Sequence, residues 1–331
     1  MNAPTLDVLA VGNALVDVLS HEEDDFLGRI GMVKSSMTLI DEDVSHHIYA
    51  QMGPAVEISG GSAGNTAVGV AAFGGRVAFV GRTRDDQIGE LYRHDIQAAG
   101  VQYAGSIASD GPASGRSYVI VTPDANRTMC TFLGAANQIS PADLPDELIE
   151  SAAITYTEGY LWDQPAAKDA VRALAERTHA AGRKFAFTLS DSFCVERHRK
   201  EFLALAEREV DILFANEAEI CALYEVDEFD AALQHVRGHC EIAALTRSEK
   251  GSVIVAGDEV HVIDAHPVDE VIDTTGAGDL YAAGVLYGIA NELGLARAGH
   301  LGSVAAAEVI AHLGARPEDD LRVLGRLFDE A

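Results

Sequence analysis

In the stretch VIDTTGAGDLYAAG (271–284), a carboxylate, Asp279, follows directly on Gly276, Ala277 and Gly278 where helical spacing begins. The first N–H groups of a helix have no intrahelical partner and carry a partial positive charge. Glycines let an anion approach them closely. Such a turn can receive a phosphoryl group, with Asp279 placed to take the proton from a hydroxyl that attacks it. It can equally be a capped turn without a ligand, Asp279 merely complementing the helix dipole at about 0.3–1 kcal/mol.

Three further groups of residues have types suited to the same chemistry. In SGGSAGNTAVGVAAFGG (59–75), Gly60 and Gly61 precede a helical pattern rich in Ala and Gly, and its first turns carry Asn65. That amide can both donate to and accept from a sugar hydroxyl; a tightly packed small-residue helix without a ligand has the same sequence signature. In FANEAE (214–219), Asn216 ends an apolar run and Glu219 follows three residues later. The spacing suits a hydrated Mg2+ with nucleotide phosphates, and equally an N-cap Asn with a capping-box Glu. In VLAVGNALVDVL (8–19), Asn13 and Asp17 interrupt an apolar run near its exit from a strand. Burying an unpaired carboxylate is costly, and the vicinal diol of a ribose would give each Asp17 oxygen an O–H donor. Two familiar phosphate motifs are missing. No GxxxxGK[ST] occurs, and the lone Gly12 after the first strand, in place of GxGxxG, disfavours a nicotinamide-dependent oxidoreductase.

The elements that must hold these residues follow from periodicity. RVAFVG (76–81) precedes a helical DQIGELYRHDIQAAG, and AAITYTEGY precedes QPAAKDAVRALAERTHAAG. RKFAFTLS precedes VERHRKEFLALAERE, and VDILFAN precedes EAEICALYE. This alternation predicts an α/β fold, a mainly parallel sheet covered by helices on both faces. VIDTT reads as the end of a further strand, so the glycine turn would lie at a strand-to-helix junction, where open α/β sheets bind ligands. Two segments break the rhythm: 24–41, with short β-like runs and no helix, and 114–137, a hairpin turning at Pro123–Asn126. We expect both in one small β lid formed by 19–42 and 113–137. The large domain would then comprise 1–18, 43–112 and 138–331. Two separate decorative hairpins are the alternative.

Composition narrows the partners. Of 331 residues, 48% are apolar and 23% charged, enough for a large core. Lys+Arg 24 against Asp+Glu 52 gives a formal net charge of −28. That field repels nucleic acid and anionic membrane and obliges an anionic substrate to find local, oriented donors. Cys130, Cys194, Cys221 and Cys240 lack CxxC or CxxH spacing, so reduced thiols in a cytoplasmic protein are expected rather than disulfides or zinc. The N-terminal run is broken by Asp7, Asn13 and Asp17 and has no basic leader. We read it as a strand, not a signal peptide or membrane span.

Taken together and in order, GGSAGN near residue 60, NEAE at 216–219 and DTTGAGD at 273–279 resemble the motif set of the ribokinase-like (PfkB) family of carbohydrate and nucleoside kinases. The resemblance covers nearly the whole chain. It implies a doubly wound αβα domain with a β-sheet lid, and ATP- and Mg2+-dependent phosphorylation of a hydroxymethyl group. By position it implies that Asp279 is the catalytic base and that Gly276, Ala277 and Gly278 form the anion hole. Asn216 and Glu219 match the residues that organise Mg2+ and phosphate, Glu219 reaching the metal through water. Asp17, Gly60, Gly61 and Asn65, with Asn13 beside them, match ribose or sugar contacts. TRSEKG (246–251) resembles the family's TxGxxG nucleotide segment, implying ATP contacts at Thr246 and Gly251, with Ser248 in place of the first glycine.

GNALVDV, GGSAGNTAVG, DANRTMCTFLGAAN and RAGHLGSVAAAEVI (297–310) are similar to the adenosine kinases of that family. Arg127 falls where these keep a lid arginine near the transferred phosphate; a solvated turn residue is the alternative. Leu15, Met37 and Phe132 are apolar candidates for walls of a purine pocket, or ordinary lid packing. The implied activity is phosphorylation of a nucleoside 5′-hydroxyl. A sugar kinase of the same family and a silent nucleotide-binding protein are its rivals. As in some relatives, K+ near Asp273 and Gly314 would be a further cofactor. An exposed lid edge leaves monomer and homodimer both open.

Overall fold

Leu9 and Val11 of the first strand, Leu6–Val11, pack into one apolar core, and Val8 and Ala10 into another. Strand residues alternate between faces, so this strand is buried on both sides, as the interior of a parallel sheet requires. The computed structural model describes residues 3–124 and 126–326. In it the first strand lies inside a nine-stranded sheet. From one edge the order is Glu259–Ile263, Ser252–Ala256, Ile242–Thr246, Ile212–Asn216, Lys184–Thr188, Ala152–Glu158, Leu6–Val11, Val77–Val80 and Gln102–Tyr103. Ser252–Ala256 is antiparallel to both neighbours, and the other pairings are parallel.

Helices Pro165–Ala180, Ser192–Arg208, Glu217–Tyr224 and Phe229–Val236 cover one face. Ser62–Ala72, Gln87–Ala98 and Ala277–Ala290 cover the other. The α/β architecture expected from periodicity is therefore present. Small residues let these helices approach closely: a Cβ on Gly69 would lie 2.5 Å from Ala283 Cβ and 2.7 Å from Leu280 Cδ1. The Gly/Ala-rich helix Ser62–Ala72 thus presses its backbone on Ala277–Ala290 as well as on the sheet, and the first turns of the two helices meet. No helix among the described residues is long and apolar enough to cross a membrane.

A smaller five-stranded sheet stands apart, in the order Met37–Leu39, Arg127–Phe132, Gly115–Val121, Leu15–His21 and Ala55–Ser59. Parallel pairing of Met37–Leu39 with Arg127–Phe132 joins the two irregular segments in one sheet. This sheet also takes Leu15–His21 and Ala55–Ser59, beyond the expected 19–42 and 113–137. The cause is a break at residues 12–14. There the Asn13 N–H donates to the Glu158 side chain, and the chain leaves one sheet for the other. VLAVGNALVDVL is accordingly two strands in two sheets rather than one. Residues 24–41 also contain a helix, Asp24–Ile30, which the sequence reading omitted; Phe26, Leu27 and Ile30 bury its apolar stripe beneath the small sheet. VIDTT is not a strand. Ile272 and Asp273 donate to the Ile310 carbonyl at 2.8 and 3.2 Å, so this segment hangs from a helix end rather than from a ladder.

Candidate active site

The carboxyl ends of the parallel strands bring together Asn13, Glu158, Asn216 and Thr246, and helix Ala277–Ala290 begins beside them. Gly276, at φ 79°, caps that helix without a side-chain bond. The N–H groups of Gly276, Gly278 and Asp279 donate to nothing among the described residues, whereas Ala277, expected in the anion hole, turns its N–H back to the Thr274 carbonyl at 3.3 Å. A Cβ on Gly278 would meet nothing within 4 Å, so the space over these amides is open, and one on Gly276 would lie 2.6 Å from Ala315 Cβ. Open, unpaired donors at a helix start form a seat for an anion.

Asp279 is fixed from the neighbouring helix. Ser62 Oγ donates to its Oδ1 at 2.7 Å and Asn65 Nδ2 to its Oδ2 at 2.9 Å. Asn65, expected to touch a sugar, gives one of its two amide N–H donors to Asp279, while its buried Oδ1 has no partner among the described residues. Burial raises the Asp279 pKa; the bonds from Asn65 and Ser62 and the charge of Arg316 oppose that rise.

Asp17 projects from Leu15–His21 and receives no hydrogen bond among the described residues. Burial pushes its carboxyl up to about 7, the Arg316 charge pulls it down, and Asp279 pushes it further up. A Cβ on Gly60 would overlap the Asp17 carboxylate, and one on Gly61, at φ 80°, would overlap the Asn13 carbonyl. Gly60 is thus required by the approach of the Asp17 side chain, and Gly61 by that of the Asn13 carbonyl. Asn13 donates through N and Nδ2 to Glu158 Oε1 at 3.0 and 2.7 Å, and Glu158 Oε2 accepts from the Ala63 N–H at 2.7 Å. Glu158, buried and pushed up to about 7 by desolvation, ties the first strand to helix Ser62–Ala72.

Asn216 and Glu219 form a full capping box: Asn216 Oδ1 accepts from Glu219 N at 2.8 Å, and Glu219 accepts from Asn216 N at 3.0 Å and Nδ2 at 2.6 Å. Glu219 is buried, and desolvation, with Asp191 and Asp279 nearby, pushes it up to about 7. Thr246 lies directly across from Asn216 in the sheet. Ser248 holds φ 53° and Gly251 φ 79°, where a Cβ on Gly251 would overlap the Ile263 carbonyl. The serine keeps the left-handed backbone that the absent glycine would take.

Arg127, from the small sheet, forms an ion pair with Asp273 and donates to Thr275 Oγ1 at 2.9 Å. It meets the glycine loop itself rather than standing in solvent. Asp273 also accepts from Thr275 N at 2.8 Å and Gly314 N at 2.7 Å. Asp273 and Gly314, expected beside K+, are bonded to each other, and Arg127 places positive charge on the same carboxylate. Register settles the apolar candidates. Leu15 and Met37 share the face of Asp17 and Arg127, together with Leu19, Val119 and Met129, which the sequence reading missed. Phe132 lies on the opposite face, with Tyr118 and Cys130.

Ser62, Glu158 and Arg316 also escaped the sequence reading. Only Glu158 left a signal, as an acid closing the apolar strand AAITYTE. A half-buried, oriented carboxylate beside bare amides, facing a lid with one free carboxylate and apolar walls, can bind an anion and a polyhydroxyl body together. It can then move a proton between them.

Residues 39–321 match the family described as pfkB family carbohydrate kinase. A solved probable sugar kinase protein from Rhizobium etli superposes with a TM-score of 0.93 and 45% identity, covering 99% of this chain and 100% of that one. The adenosine kinase from Sinorhizobium meliloti superposes with a TM-score of 0.91 and 48% identity, covering 98% and 99%. The adenosine kinase of Saccharomyces cerevisiae is 25% identical over 307 residues, 86% of this chain and 89% of its own.

Proposed function

This chain belongs to the PfkB family of carbohydrate kinases, a phosphotransferase acting on hydroxyl groups, and we propose that its acceptor is the 5′-hydroxyl of adenosine, with ATP as donor. The observation that carries this reading is the position of Asp279 on the first turn beside the unpaired N–H groups of Gly276, Gly278 and Asp279. The γ-phosphoryl group would sit on those amides, while Asp279, oriented by Ser62 and Asn65, takes the proton of the attacking hydroxyl. The free Asp17 carboxylate would accept both O–H groups of the ribose diol. Leu15, Leu19, Met37 and Met129, on the same face of the small sheet, suit an aromatic base. Asn216 and Thr246, side by side at the sheet edge, and Gly251 would line the nucleotide path.

Mg2+ fits this donor set: hard carboxylate oxygens at Glu219, which burial and nearby Asp191 and Asp279 push toward the neutral form against the bonds from Asn216, so that a cation would restore the charge. Asn216 and Glu219 would hold it through water, and its chemistry is to neutralise charge on the transferred phosphate. Arg127 would close the small sheet over the reactants by gripping Asp273 and Thr275. Reaction in the cytoplasm, by a monomer or homodimer, completes the proposal.

Likeness to a probable sugar kinase supports a sugar acceptor as the second reading. ADP release with adenosine, inosine, ribose and fructose, offered side by side with MgATP, tests the choice. Adenosine is expected to give the highest kcat/KM. Turnover of ribose or fructose with inert nucleosides would reverse it.

A further inference from the structure

Arg316 belongs to none of the motifs considered above, yet its guanidinium lies inside the framework of the site. Nε and Nη2 donate to the Ser59 carbonyl at 2.9 and 2.6 Å, Nη2 also to Ser59 Oγ at 2.9 Å, and Nη1 to the Gly64 carbonyl at 2.9 Å. These carbonyls bracket Gly60 and Gly61, so one planar fork fixes both ends of the turn that lets Asp17 approach. Among the described residues no carboxylate is bonded to the guanidinium, and its positive charge acts on Asp17 and Asp279, both of which it draws toward the ionised form. The same short segment reaches the phosphoryl side: Gly314 N–H holds Asp273, and Ala315 backs Gly276.

We propose that Arg316 is a positioning residue for phosphoryl transfer, holding the Gly60–Gly61 turn in place and lending its positive charge to the acceptor pocket at Asp17 and Asp279. A chain of net charge −28 has built that pocket from acids. Asp279 is faced by Ser62 and Asn65 from helix Ser62–Ala72 and by Arg316. It also acts on Asp17 of the small sheet, Tyr156 and Glu158 of strand Ala152–Glu158, Tyr160 and Glu219. Asp17 also acts on the buried Tyr92. In this company Arg316 is the cation, and an uncharged residue in its place leaves only neutral donors to hold the base ionised. The inference uses the kinase reading for its assay and the geometry above for its content.

The test compares Arg316→Gln and Arg316→Lys with wild type, each with a melting curve to show folding. In Arg316→Gln the acceptor KM is expected to rise about tenfold, as charged hydrogen bonds to Ser59 and Gly64 are lost. The acid limb of kcat/KM should move up by roughly one pH unit, with the ATP KM close to wild type. Arg316→Lys should bring the acid limb back toward wild type but leave the acceptor KM raised, because an ammonium keeps the charge without the fork. Backbone amides at 60–64 should exchange hydrogen faster in both variants. An unmoved acid limb in a folded Arg316→Gln, or kinetics and exchange like wild type with only a lower melting temperature, overturns the proposal. If Arg316→Gln does not fold, a wild-type acceptor KM and unchanged exchange at 60–64 in Arg316→Lys overturn it. The acceptor used is whichever the wild type phosphorylates best. Sugar-only activity refutes the adenosine assignment and leaves this comparison intact, whereas wild-type behaviour of the variants on adenosine refutes this inference alone.

Discussion

Ser62 and Asn65 hold Asp279 by one bond to each oxygen, and each carboxylate oxygen keeps further capacity for a donor. The carboxylate proposed as base is therefore oriented before a hydroxyl arrives, which is where positioning contributes most in this chemistry. Asp279→Asn keeps the shape, since the Ser62 hydroxyl can turn to accept from the new amide, but removes the proton acceptor. Steady-state turnover is expected to fall by about 10²–10⁴, while calorimetric binding of ATP stays close to wild type. Turnover near wild type would take the role of base from Asp279. As the proposed base, Asp279 acts ionised, and burial raises its pKa, so kcat/KM is expected to decline as pH falls through that raised pKa. At this scale Asp279, Gly276 and Gly278 were legible because a helix start acts on residues within one turn of itself. Ser62 and Arg316 were not, because their partners lie 217 and 257 positions away in the chain. Only folding reveals such pairs.

In the proposed function the small sheet carries acceptor recognition, and a few close approaches set its attachment to the main domain. Gly60 has no room for a side chain: its Cβ would overlap Asp17. Gly60→Ala must displace the Asp17 carboxylate from its position, a crowding that costs about 1–3 kcal/mol. We expect a raised acceptor KM with the ATP KM nearly unchanged, together with a lower melting temperature. An acceptor KM equal to wild type would show that the position of the Asp17 carboxylate does not matter to the acceptor. Strand and helix alternation made the main sheet legible, since its apolar runs are long and periodic. The small sheet was legible only in part. Helix Asp24–Ile30 has seven residues, too few for periodicity to stand out. Val271 and Ile272 are β-branched and apolar yet sit in irregular chain, where the N–H groups of Ile272 and Asp273 meet the end of helix Leu295–Ile310. The face of Phe132 depends on register with Gly115–Val121, which no local pattern carries.

For the whole molecule, a net charge of −28 and three acids with raised pKa bear on stability together. Asp17, Glu158 and Glu219 are each pushed up to about 7, first of all by desolvation. Between their ordinary carboxylate range and pH 7 the folded chain thus binds more protons than the unfolded one. Stability from these groups is fully present below the unfolded pKa and is lost as pH rises through the folded value, by at most about 1.4 kcal/mol per group per pH unit. Self-repulsion of the excess acids works in the same direction. Asp320, lowered to about 2 by its hydrogen bond from Arg322, and Asp124, held down by Lys34, carry the opposite sign. Their contribution is lost only as pH falls below the ordinary carboxylate range, outside this window. The ligand-free protein should therefore melt several degrees higher at pH 6 than at pH 8 by scanning calorimetry. Saturating MgATP should narrow the gap, because Mg2+ at its proposed place beside Glu219 would favour the ionised form of that carboxyl. An equal or higher melting temperature at pH 8 without ligand would mean that these carboxyls are already ionised and solvated in the folded state, and that Asp17 meets a substrate as an ordinary surface acid.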